Sequence, residues 1–86
     1  MGELLKLTNI GKEIEGQLNK AGIFTYNYLK DIGAKQAWLK ILEIDDSACI
    51  NKLLALEGAI RGIKKSELPP KCKADLKDFY NQHKAK

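Results

Sequence analysis

From Ala48 to Ile63 the chain puts apolar or small residues on two of the three faces of a helix, which leaves few ways to fold it. Cys49, Leu53, Leu56, Ile60 and Ile63 make one stripe, spaced at the three- and four-residue steps that share a helical face. Asn51, Ala55, Gly58, Ala59 and Gly62 make a second face of small groups, and Ile50, Leu54, Glu57, Arg61 and Lys64 a third. A helix with two such faces must be surrounded by others. Each glycine inside a helix costs about 0.5–1 kcal/mol relative to alanine, so Gly58 and Gly62 imply that another backbone comes close there.

The remaining sequence keeps the helical period, and no stretch alternates in the manner of a strand. Ile10, Ile14, Leu18 and Ala21 share a face, and Gly22 ends that helix. Thr25 reads as the cap of a short second helix, Tyr26–Ile32, with Phe24 and Leu29 at the spacing of a hydrophobic staple and Gly33 as its stop. A third helix follows over Ala34–Leu42, with Ala34, Trp38 and Ile41 on one face and Ala37 and Ile44 beside it. Asp46 or Ser47 would cap the central helix, and Pro69 or Pro70 would begin a fifth. The inner face of the fifth would carry Cys72, Leu76, Phe79, Tyr80 and His83. These spacings predict an all-α, compact orthogonal bundle of about five short helices. It forms one domain over residues 4–82, with a frayed tail at 83–86.

Composition narrows the function. The chain has 86 residues, enough for a single modest core. Its two cysteines and one histidine are too few for a structural zinc site, and the cysteines read as core thiols of a reducing compartment rather than a disulfide. No signal peptide, myristoylation pattern or membrane-length apolar run is present, so a cytoplasmic location is expected and no membrane partner. No nucleophile–base pair, metal cluster or phosphate loop stands out, so neither an enzyme nor a cofactor is expected, and no small-molecule substrate.

Charge marks two candidate surfaces. Residues 1–60 carry a net charge of −1, whereas residues 61–86 set seven lysines and Arg61 against Glu67, Asp75 and Asp78, a net of +5. The first candidate is Leu7-Thr8-Asn9-Ile10-Gly11 before a helix, which reads like the turn of a helix-hairpin-helix motif. Free N–H groups at a helix start can hold a phosphate oxygen, Asn9 can take the left-handed conformation, and Lys12 adds charge. Glu13 and Glu15 oppose it, and the alternative is a turn that only seats Ile10 and Ile14. The second candidate is the stripe of Lys73, Lys77 and Lys84 on the fifth helix, edged by Tyr80, with Arg61, Lys64 and Lys65 before it; the alternatives are a solvated face and cations that suit a helix C-terminus.

Two further features lean toward structure. Glu57 sits in an apolar run, and Arg61 one turn on is its natural ion-pair partner, so a buried structural acid is expected rather than a catalytic one. The small face of Ala55, Gly58, Ala59 and Gly62 would serve close helix packing, or else a homodimer contact.

Three stretches together carry a family resemblance: Leu7-Thr8-Asn9-Ile10-Gly11 through Leu18, Ala21-Gly22-Ile23-x-Thr25, and Leu53-Leu54-Ala55-Leu56-Glu57-Gly58-Ala59-Ile60-Arg61-Gly62-Ile63 followed by Leu68-Pro69-Pro70. The chain resembles the C-terminal domain of the TfoX (Sxy) family of bacterial regulators of DNA-uptake competence. The resemblance implies a fold akin to SAM-like and helix-hairpin-helix domains. It also implies a non-catalytic role near transcription of competence genes, with DNA or a DNA-bound regulator as partner. A protein-interaction or self-association module without nucleic acid is the other reading.

Overall fold

The fold follows from how four helices share one tryptophan-centred core. In a computed structural model, which describes residues 3–45 and 48–84, the order is a 3-10 turn at Glu3–Lys6, α1 at Lys12–Lys20, α2 at Tyr26–Ile44, α3 at Ile50–Arg61, a 3-10 turn at Lys65–Glu67 and α4 at Pro70–Lys84. No strand occurs among the described residues. The expected capping by Asp46 or Ser47 lies outside them.

About five helices were expected where four α-helices occur among the described residues, because the expected second and third form the single element α2. Gly33 sits at φ 85° and ψ 162°, a conformation open almost only to glycine, and kinks the element without ending it. Thr25 caps α2 by accepting the Tyr28 N–H at 3.1 Å. The staple does not form: Leu29 is fully buried, but Phe24 is 59% exposed. Ile44 also faces outward rather than lying beside the inner face.

The central helix is shorter than Ala48–Ile63, starting after Cys49 and closing at Gly62 in the left-handed conformation, φ 76°. Its end is a Schellman closure, with the Ile63 N–H donating to the Gly58 carbonyl at 2.9 Å. Leu53, Ala55, Leu56, Gly58 and Ala59 are buried, and α2 forms the broadest partner of α3. The other core residues include Leu4, Leu18, Ile23, Leu29, Ile41 and Leu76.

Trp38 is fully buried, donates its indole N–H to the Cys49 carbonyl at 3.3 Å, and meets three rings of α4. Ring centroids lie 6.0 Å away for Phe79, 5.6 Å for Tyr80 and 6.5 Å for His83. Tyr80 is thus engaged in packing rather than free as a stacking platform. α4 runs through His83 to Lys84, and residues 85–86 of the expected tail lie outside the described residues. Both cysteines are half-buried free thiols.

Candidate nucleic-acid interface

The first turn and the turn after α3 are locked together by one side chain. Asn9 has φ 73°, the only positive φ of a non-glycine among the described residues. That backbone turns its amide toward the end of α3. Asn9 Nδ2 donates to the Ile63 carbonyl at 3.0 Å, and Asn9 Oδ1 accepts the Lys65 N–H at 3.2 Å. Both ends of the amide are therefore occupied inside the fold, and the side chain weighed as a phosphate contact acts as a clasp.

Gly58 lies beneath this clasp. A β-carbon there would collide with Asn9 Nδ2, would stand 2.8 Å from the Ile63 carbonyl oxygen and 3.2 Å from the Lys65 nitrogen. The close approach at Gly58 is thus made within the chain. Ala55 and Ala59 are buried with it, while Gly62 is exposed with open space around it and serves the helix stop.

The clasp sets the turn at Asn9, two residues before Gly11, against the backbone of Ile63 and Lys65. Gly11 precedes α1 in extended backbone and makes no side-chain cap, and Lys12 is exposed. Lys64 and Lys65 are exposed, and among the described residues no acid pairs with their ammonium groups. The backbone of this second turn is held by the Lys64 N–H donating to Glu67 Oε1 at 3.3 Å. Lys73 Nζ donates to the Ser66 carbonyl at 3.1 Å, which ties α4 to the same turn, and Lys77 is exposed one turn further along α4.

The two acids that oppose phosphate at the first turn have separate fates. Glu15 is buried and accepts the Leu5 N–H at 3.2 Å, so it holds the N-terminal 3-10 turn. Glu13 remains exposed, 4.0 Å from Lys52 Nζ. A shallow cleft of about 230 Å³ between Asn9, Glu13, Lys52 and Lys65 marks where the two turns meet.

Arg61 is not part of this cluster. Its Nε donates to Glu57 Oε2 at 2.7 Å, and both residues line a separate groove between α2, α3 and α4. Glu57 is half-buried rather than buried, and its hydrogen bond pushes the Arg61 pKa further above its ordinary value. The same groove contains Lys35, which pairs with Asp75 at 2.7 Å and lies over the Phe79 ring at 5.4 Å. Sequence spacing carries no sign of Lys35 or Lys71 as groove residues, because their neighbours come from other helices.

The profile described as the TfoX C-terminal domain matches residues 1–80. The chain belongs to that family. Protein Sxy of Escherichia coli (strain K12) is 32% identical to this TfoX C-terminal domain over 76 residues. The match covers 88% of the chain but 36% of Sxy, so the chain spans about a third of that relative's length. Two crystal structures of proteins from Listeria monocytogenes share the fold at 48% identity and a TM-score of 0.91. One, an uncharacterized protein in a triclinic form, matches over 92% of this chain and 90% of its own. The other, a protein of unknown function in a tetragonal form, matches over 93% and 98%.

Proposed function

We infer that this TfoX C-terminal domain is a non-catalytic regulatory module that contacts duplex DNA, alone or beside a DNA-bound regulator, in the control of DNA uptake. Family membership supports the regulatory role. The observation that supports the DNA contact is the Asn9 clasp, which holds the N-terminal turn that leads into Lys12 on the backbone of Lys65, next to Lys64. Phosphates are the natural partners of such a face: free N–H groups at the start of α1 add to the lysine charge. The turn-then-helix at Leu7–Gly11 is the part that supports kinship with helix-hairpin-helix and SAM-like domains. Work beside DNA in a bacterium is work in the cytoplasm.

Self-association through the small face is disfavoured, because Asn9 already fills the space over Gly58. Catalysis by Glu57 is disfavoured because Arg61 holds its carboxylate.

The test is fluorescence anisotropy with a labelled duplex at two salt concentrations. Phosphate contacts release counterions, so affinity falls with salt at a log–log slope of roughly −0.9 per contact. Changing Lys64→Glu and Lys65→Glu together should weaken binding and flatten that slope by about 2. Binding that ignores salt, or a double variant that binds like the parent, would remove the DNA contact from this reading.

A further inference from the structure

We propose that the groove between the α2 kink, the end of α3 and the start of α4 docks an acidic peptide segment of a partner protein, with one carboxylate on Arg61 and an adjacent apolar side chain on the groove floor. The groove is open and about 640 Å³ in volume, room for a few side chains. Ile32, Pro69 and Cys72 supply apolar surface to its lining.

The occupant's charge follows from how the rim is paired. Glu57 holds Arg61 through its Nε, which fixes the guanidinium, and among the described residues the two terminal nitrogens keep their donors unused. A guanidinium held this way offers the paired donors that match a carboxylate. Asp75 is likewise held, by Lys35 at 2.7 Å. Lys71 lines the same groove, is exposed, and has no ion-pair partner among the described residues. The rim therefore carries three cations against two acids, and both acids are engaged. The first turn of α4 adds the positive end of its dipole.

The apolar lining and the two rim carboxylates select among anions. A phosphodiester backbone would bring dense negative charge close to Glu57 and Asp75 and leave the apolar surface unused. A glutamate or aspartate beside leucine or isoleucine satisfies both parts. The groove shares no lining residue with the cleft where the Asn9–Lys12 and Lys64–Lys65 turns meet, so peptide and DNA would engage different surfaces.

The experiment is an NMR titration of the ¹⁵N-labelled full chain with a synthetic hexapeptide alternating leucine and glutamate. A matched leucine–lysine peptide and a short DNA duplex serve as comparisons. Shifts from the acidic peptide should concentrate at Ile32–Gln36, Arg61 and Lys71–Asp75. Arg61→Gln should weaken binding about tenfold or more, the loss expected for a charge-assisted hydrogen bond. Lys71→Glu should weaken it as well, and Lys64→Glu with Lys65→Glu should leave it unchanged. Both groove substitutions are at exposed positions, and an unaltered amide spectrum of the free variants verifies the fold. Absence of shifts, equal binding of the lysine peptide, or DNA perturbing these same residues would overturn the proposal.

Discussion

The side-chain amide of Asn9 rests on Gly58, and the missing β-carbon of that glycine is what lets it bond the Ile63 carbonyl and the Lys65 N–H. A turn at the start of the chain is in this way built into the end of its central helix. The surface proposed to meet DNA exists in its present shape because of that contact.

Replacing Asn9 separates the parts of the clasp. Asn9→Ala removes both bonds and places an alanine at φ 73°, so it should destabilise the fold by about 2–3 kcal/mol. Asn9→Gly accepts the backbone and loses only the bonds, at a cost of about 1–2 kcal/mol. Urea unfolding of the two variants measures both numbers. Equal stability of all three proteins would mean that the amide does not hold the turns together.

Much of this arrangement can be read from residue type. Gly58 inside a leucine-rich helix announces a close neighbour, and the spacing of Glu57 and Arg61 announces their pairing. The neighbour's identity cannot be read, because it comes from the far end of the chain and is a side chain whose type equally suits a phosphate contact. Gly33 is legible as a break but not as a kink, since whether a helix resumes depends on the packing of Ala34, Trp38 and Ile41 beyond it. Phe24 has the position of a staple residue, yet Ile23 and Leu29 fill the core beside it and leave it outside. The split of Arg61 from Lys64 and Lys65 is equally invisible, because Gly62 redirects the chain between them.

The kink makes its own prediction. At φ 85° and ψ 162° an L-residue is strained even though open space surrounds the Gly33 Cα. Gly33→Ala should therefore cost of order 1–3 kcal/mol, from backbone conformation alone. Thermal melting checks this. A gain in stability, as expected if alanine simply improved an ordinary helix, would contradict the conformation described.

Cys72 gives a pH signature. Burial pushes its thiol above the ordinary value, and the charge of Glu57 adds to the effect while Arg61 opposes it. The neutral thiol is thus favoured in the folded state. Its contribution is fully present below the pKa of an unfolded cysteine, about 8.5, and is lost as pH rises through the higher folded value. In a Cys49→Ser background, the pH midpoint of iodoacetamide alkylation should lie above that of free cysteine. Glu57→Gln should lower it and Arg61→Gln should raise it. A midpoint at or below the free value would contradict the burial of this thiol in the groove.

Trp38 reports on the core. It has no exposure and contacts α4 through three rings, so Trp38→Ala should cost about 3–5 kcal/mol. Chemical denaturation followed by circular dichroism measures the loss, and a cost below about 1 kcal/mol would be inconsistent with a ring at the centre of the bundle.

The most direct test of the clasp is a double-mutant cycle between Asn9→Ala and Gly58→Ala. In the native background the new β-carbon at Gly58 meets both the Asn9 amide and the Ile63 carbonyl oxygen, and an overpacking cost of about 1–3 kcal/mol should exceed the helix-propensity gain of alanine. With Asn9 already cut back to alanine, only the crowding from the Ile63 and Lys65 backbone remains, and the same change should cost at least about 1 kcal/mol less. Additive effects, within about 0.5 kcal/mol, would show that the two residues do not touch and that the two basic turns are not joined in this way.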